Sequence, residues 1–279
     1  MTLRTLSSSA RLALSIAALP LAFGAATPAA AASPVAATGN AQSFGLTAAA
    51  AFGASPMYPD HGRYLLVDAA SARLFMVEDG MVRDSMRVIV GKPATQTPTL
   101  ASKIYYATLN PYWNVPADLA QSLIAPRVLE QGVGYLKAHN YQVLASFDAD
   151  APEISPTTVD WKAVAEGRAT VKVRQLPGPA NSMGQVKFGF PNNEGIFLHD
   201  TPKKELFAAD QRALSNGCVR LEDAPRLARW MLGRDPSSYP AAPEENVLLP
   251  QAVPIYITYL NGPANDQLAL AGGGSPVAR

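Results

Sequence analysis

Arg63-Tyr-Leu-Leu-Val-Asp68, Ala72-Arg-Leu-Phe-Met-Val-Glu78 and, after Asp79-Gly80, the run from Met81 to Val90 decide the fold class. The first two runs are rich in β-branched and aromatic residues and meet at a short polar turn. Asp-Gly suits a tight hairpin because both turn positions accept positive φ. In the third run Met86, Val88 and Val90 alternate with polar positions, the period of a half-buried strand. Lys103-Ile-Tyr-Tyr-Ala-Thr-Leu109 follows, past Gly91-Lys-Pro93 and Thr97-Pro98, as the next strand. Four strand signals in succession predict an antiparallel meander and a mostly β protein, not alternating βαβ units.

Further along, Pro116–Ile124 and Gly134–His139 carry helical spacing, and Asp160 is placed to N-cap a short helix reaching Glu166. Residues 110–167 therefore read as a mostly helical insertion. Strand signals resume at Thr170–Arg174, Gln185–Phe190 and Gly195–His199. Acids and Pro225 at one end and Gly233 at the other punctuate a helix over Glu222–Leu232, and Pro254–Leu260 is a last strand.

The chain has 279 residues, and its two ends differ from the middle. Arg4 and Arg11 flank a Ser-rich start, an apolar run follows from Leu12 to about Ala26, and small residues reach Ala32. A basic start, a core too short to span a bilayer and a small-residue end predict a secretory signal peptide over 1–32 and a periplasmic destination. Residues 33–55, rich in Ala, Gly, Ser and Thr, read as a flexible linker, and 261–279 as a disordered tail. A single catalytic domain is left at 56–260.

The 23 basic and 22 acidic side chains nearly cancel, so neither nucleic acid nor an anionic membrane is an expected partner. His61, His139 and His199 are too scattered to form a metal-ligand pattern, so no metal is expected. The single cysteine carries more information. Exported proteins usually pair their cysteines, and one unpaired thiol is a candidate for reactivity.

That cysteine sits in Arg212-Ala-Leu-Ser-Asn-Gly-Cys-Val-Arg-Leu221, downstream of Gly195-Ile-Phe-Leu-His-Asp-Thr-Pro202. Attack by sulfur on an amide carbonyl needs a thiolate, a base to make it and N–H donors for the developing oxyanion. Cys218 is the candidate nucleophile and His199 the candidate base. Gly217 lets the backbone bend so that its N–H and that of Cys218 can serve the oxyanion. Arg220, two residues on and so on the same face of an extended chain, adds positive charge for a thiolate or a substrate carboxylate.

His199, fifteen intervening residues and Ser-Asn-Gly-Cys-Val-Arg220 resemble the signature of the L,D-transpeptidase (YkuD-type) catalytic domain: a His, a spacer, then Ser or Thr, His, Gly, Cys, an apolar residue and Arg or Asn. Arg87-Val-Ile-Val-Gly-Lys-Pro93, Asn110-Pro-Tyr-Trp-Asn-Val-Pro116, Gln175-Leu-Pro-Gly-Pro179 and Leu198-His-Asp-Thr-Pro202 look like the branch from Gram-negative envelopes. One position departs: Asn216 stands where the family commonly has His. The base is the upstream His199, so activity is expected to survive.

The resemblance implies a twisted β-sandwich with an inserted capping subdomain at about 110–167. It implies two-step acyl transfer on peptidoglycan stem peptides, serving as donor and as acceptor. Cys218 forms a thioester and releases D-alanine, and an acceptor amine then makes the cross-link. A lipoprotein lysine is another acceptor. Water in its place would make the protein an L,D-carboxypeptidase or endopeptidase. No cofactor is implied. Asn216, Ser215, Asp200 and Trp113 join Arg220 as expected substrate contacts. Two other classes compete. Sortases share the order His, Cys, Arg, but separate His and Cys by far more than the nineteen residues found here. A cell-wall-binding domain with a dead site would more naturally lack His199 or Cys218.

Overall fold

The computed structural model describes residues 47–48 and 58–260. The expected signal peptide and tail lie outside them, as does most of the linker. Within the linker, Thr47 bridges Met81, and the Ala48 N–H donates to the Gly80 carbonyl at 2.6 Å. The chain is therefore anchored at this point rather than free. The reason is apolar: Ala48 is buried with Tyr64, Leu66, Phe75, Val77 and Val82 on a face that the core does not cover.

Twelve strands are described: β1 Arg63–Asp68, β2 Arg73–Glu78, β3 Met81–Gly91, β4 Leu100–Leu109, β5 Trp113–Asn114, β6 Tyr141–Leu144, β7 Lys172–Gln175, β8 Val186–Gly189, β9 Phe197–His199, β10 Ala213–Ser215, β11 Val219–Leu221 and β12 Glu245–Thr258. The protein is mostly β, as its sequence predicts. Nine strands form one sheet in the order β10-β3-β11-β9-β8-β4-β12-β1-β2, and the β2–β3 pairing closes it on itself. The hairpins β1–β2 and β2–β3 are antiparallel. The fourth strand leaves that meander: β4 pairs with β12 and β8. Gly91-Lys-Pro93 and Thr97-Pro98 interrupt the chain between β3 and β4 and carry it across, since proline cannot continue a central ladder.

Side chains from the inner faces of these strands form one core, to which the helix Ala224–Leu232 adds Leu227, Ala228, Met231 and Leu232. Asp223 caps that helix by accepting from the Arg226 N–H at 3.0 Å, and Gly233 ends it at φ 74. Leu198 on β9 and Val219 on β11 are fully buried in this core. Truncating such a residue to Ala costs about 2–5 kcal/mol, so the strands that carry the site are strongly held.

The insertion has its own core, built from Val115, Ile124, Val128, Leu136, Val143, Trp161, Val164 and Val173 among others. Its helices are α1 Ala117–Leu119, continuing through a π-helical turn Ala120–Ile124 into α2 Ala125–Gln131, then α3 Gly134–Ala138 and α4 Trp161–Ala165. Asp160 caps α4 through the Ala163 N–H at 2.9 Å. The insertion also holds a sheet in the order β5-β7-β6. The strand expected at Thr170–Arg174 belongs to this small sheet, at Lys172–Gln175, and not to the main one. Alternation identifies a strand but not its partner.

One irregularity in β4 matters below. Ile104 and Ala107 both face the core, and the two residues between them, Tyr105 and Tyr106, are both exposed. The β4–β12 pairing shifts register at this place, between Leu248 and Val253. The extra residues are on β12, where 249–252 stand opposite Tyr105 alone, and the regular pairing of β4 is broken there.

Candidate active site

Strands β9 and β11 run parallel, with Val219 opposite Leu198 and Arg220 opposite His199. Leu198 and Val219 point into the core. Neighbouring residues in a strand alternate faces, so His199 and Arg220 stand on the other side, together with Phe197 and Cys218 one residue earlier. These two strands thus bring the candidate nucleophile, the candidate base and a cation onto one face.

His199 is 3% exposed, and its Nδ1 lies 2.5 Å from the carbonyl oxygen of Asp200. A carbonyl only accepts, so Nδ1 carries the proton and the Nε2 lone pair is free to take one. Burial pushes the imidazole down to about 4. The Asp200 carbonyl opposes that shift, and the nearby Arg220 cation adds to it. At neutral pH the imidazole is uncharged, as a base requires.

Asp200 itself is expected among the substrate contacts, and the structure gives its side chain a different task. The carboxylate is buried, accepts from the Gln185 N–H at 2.9 Å and pairs with Lys204 Nζ at 2.6 Å. Lys204 also donates to the carbonyls of Leu221 and Glu222 at the end of β11. Gly184 is packed so tightly on Asp200 that a Cβ there would meet the carboxylate at 2.4 Å. The side chain thus ties β9 to the ends of β8 and β11, and holds in place the peptide carbonyl that selects the His199 tautomer.

The Cys218 thiol is half-buried, and burial pushes it above its ordinary value. The Phe197 N–H and the Arg220 cation oppose that shift. Its hydrogen bond runs to the Gly195 carbonyl at 3.9 Å. No hydrogen bond joins the sulfur to His199 in this state; a protonated thiol in the neighbourhood of a carbonyl donates there instead. Arg220 is half-buried, and its guanidinium forms no ion pair or hydrogen bond among the described residues.

The loop before Cys218 is held from inside. Ser215 Oγ donates to the Cys218 carbonyl at 2.6 Å and accepts from the Gly217 N–H at 3.1 Å. Two expectations change as a result. Ser215, 1% exposed, braces the loop rather than meeting substrate. The Gly217 N–H, expected to serve an oxyanion, is taken up by Ser215 Oγ, while the N–H groups of Asn216 and Cys218 have no partner among the described residues. Gly217 is needed for its backbone, at φ 119, where an added Cβ would sit 3.1 Å from Ile196 Cδ1. Thr97, buried in the segment after β3, donates to the Gly217 carbonyl at 2.7 Å and accepts from the Gly91 N–H at 2.9 Å. Nothing in the local sequence marks Thr97 or Lys204 as supports, because their partners lie far along the chain.

Asn216 is exposed beside the nucleophile. Trp113 is elsewhere: it lies on β5 opposite Gln175, its ring 6.3 Å from that of Tyr141, packed against the core of the insertion. No described contact joins it to Cys218. Among the described residues no group of three or more His, Cys, Asp or Glu is placed to hold a metal ion, and no helix is long and apolar enough to cross a membrane.

Residues 62–253 match the family model for the YkuD L,D-transpeptidase catalytic domain. A Haemophilus influenzae protein provisionally named an L,D-transpeptidase is 34% identical over 174 residues, covering 62% of this chain and 34% of that protein. The chain thus spans about a third of the length of the curated relative it matches. Among solved structures it is similar to an L,D-transpeptidase from Mycobacterium smegmatis, at 14% identity and a TM-score of 0.33 over 70% of this chain and 58% of that one. It is also similar to the catalytic domain of the E. faecium L,D-transpeptidase acylated by ertapenem, at 11% identity and a TM-score of 0.34 over 72% of this chain and all of that one.

Proposed function

The chain belongs to the YkuD family of L,D-transpeptidase catalytic domains, and from that premise we propose that it is an exported peptidoglycan L,D-transpeptidase with Cys218 as its nucleophile. The observation that supports the chemistry is the β9–β11 register, which pairs Arg220 with His199 and so puts Cys218, two residues before Arg220, on the same face as a buried, neutral imidazole whose Nε2 is unprotonated.

In the proposed reaction the thiol leaves the Gly195 carbonyl and passes its proton to Nε2. The sulfur attacks the carbonyl of the L-centred residue of a donor stem peptide. Negative charge on the carbonyl oxygen is met by the Asn216 and Cys218 N–H groups. The C–N bond to the terminal D-alanine breaks, the imidazolium returns its proton to the departing amine, and a thioester remains. The amine of a second stem peptide then attacks the thioester, giving up a proton to Nε2 of His199; the C–S bond breaks, the imidazolium returns that proton to the sulfur, and the cross-link forms. Arg220, unpaired and beside the sulfur, favours the thiolate and is a counter-ion for a substrate carboxylate.

Nucleophile, base and oxyanion donors serve an amine and water alike, so the acceptor is read by experiment. Incubation of the mature protein with disaccharide-tetrapeptide should yield cross-linked dimers by mass spectrometry. Tripeptide alone would assign the protein as a carboxypeptidase. Neither product, together with no carbapenem mass adduct on Cys218, would overturn the enzyme reading.

A further inference from the structure

The register that joins Cys218 to His199 continues across three more strands. Val219, Leu198, Phe188, Ala107 and Val247 form a row over β11, β9, β8, β4 and β12, all of them buried in the main core. The neighbouring residue on each strand therefore points to the opposite face of the sheet. On one side of the buried row these are Arg220, His199, Lys187, Thr108 and Asn246, a polar row. Within it Thr108 bonds Asn246 at 2.7 Å, and Lys187 pairs with Glu244 at 2.9 Å. On the other side the outward row begins at Cys218 and Phe197, crosses Gly189, and ends at Tyr106 and Leu248.

This second row is a floor leading away from the nucleophile. Gly189 leaves a gap in it, and the Tyr106 hydroxyl lies there, 3.3 Å from where a Cβ on Gly189 would be. Tyr106 thus leans from β4 toward the catalytic strands. Tyr105 precedes it at the register shift between β4 and β12, and the two residues are 48% and 37% exposed, next to a Leu248 that is 76% exposed. Neither phenol hydroxyl has a partner among the described residues. A central strand that turns two adjacent tyrosines out to solvent leaves an apolar platform with free hydroxyl groups, open to a ligand of matching character.

We propose that Tyr106, with Tyr105 and Leu248, is the subsite for a sugar ring of the glycan-linked donor, the stem peptide lying along the row from Cys218 across Gly189. The proposal rests on the transpeptidase reading above and names where that substrate's saccharide end goes. A pyranose ring pairs an apolar C–H face, suited to an aromatic ring, with hydroxyls suited to unpartnered phenols. The length fits as well. Three strand spacings, about 14 Å, separate the Tyr106 and Cys218 backbones, and the inward lean of Tyr106 shortens that gap. Two to three residues of extended chain, about 7–11 Å, then connect the attacked carbonyl to a sugar resting on the ring.

The test compares two donors, the free tetrapeptide and the same tetrapeptide on its disaccharide, by kcat/KM for thioester formation. The wild-type protein should favour the disaccharide donor by about tenfold or more, the effect of about 1.4 kcal/mol of ring contact. Tyr106→Ala should bring the ratio of the two donors toward one, while Tyr106→Phe, which keeps the ring, should retain most of it. An unchanged ratio in Tyr106→Ala overturns the proposal, including the case where both donors slow together. If the wild-type protein turns over neither donor, the function reading has failed separately. The platform is then judged by titrating the disaccharide alone: shifts in the NMR signals of Tyr105 and Tyr106 rings support it, and their absence sinks it.

Discussion

Replacing His199 by Gln tests the electrostatics of the site through stability, without any assumption about substrate. In the folded protein the imidazole titrates near about 4, against an ordinary value of 6.5, chiefly because it is buried. As pH falls through 6.5 the unfolded chain takes up a proton on this side chain and the folded protein does not. The unfolded state is therefore favoured progressively until the folded imidazole also titrates, near 4. The gap of 2.5 pH units corresponds to about 3 kcal/mol of stability, present above 6.5 and lost by 4. Other groups titrate in the same window, but they do so in the variant as well.

The quantity to follow is thus wild-type minus His199→Gln unfolding free energy, from urea titrations followed by tryptophan fluorescence at several pH values between 8 and 4. Cavity and packing effects of the substitution do not depend on pH and drop out of the trend. The difference should fall by about 3 kcal/mol across the range. A flat difference would mean that His199 is solvated. A difference that grows toward acid would mean that the folded state prefers the charged imidazole, as it would beside a Cys218 thiolate, and would refute the neutral resting pair.

Other expectations follow from single contacts. The chain has one cysteine, so iodoacetamide reports on Cys218 alone. Its alkylation rate should keep rising past the ordinary thiol range, and Arg220→Met should shift the profile further to high pH, because the lost cation had favoured the thiolate. Gly217→Ala should destabilise by about 1–3 kcal/mol, the usual strain of a side chain at such a φ, read as a lower melting temperature together with slower acylation by a carbapenem. Asp200→Asn should destabilise by about 1.5–3 kcal/mol, the range for hydrogen bonds to a charged group. Lys204→Met should cost less, since the lysine side chain is half exposed; thermal melts of the two variants side by side give the comparison.

Local pattern was enough for much of this protein. Runs of β-branched and aromatic residues mark β1 and β2, period-two alternation marks β3, Asp79-Gly80 marks the β2–β3 hairpin, and Asp160, Pro225 and Gly233 mark helix ends, because each depends on residues within a few positions of one another. Spacing and residue type singled out His199 and Cys218 as candidates, and the fold puts both on one face of the sheet. What spacing does not contain is the partner of each strand and the register between them. Whether β4 continues the meander or crosses to β12, and whether residues 172–175 join the large sheet or the small one, depends on which distant apolar faces bury each other. The same holds for the site's supports. A hydroxyl at Thr97 and an ammonium at Lys204 become braces only once folding closes the long loops between them and the strands they hold. Ser215 and the Gly217 N–H look available in sequence and are consumed by one another in the fold. Candidate residues are readable from identity because reactivity is carried by side-chain atoms; orientation and availability were decided by backbone hydrogen bonding and burial, which are properties of the assembled sheet.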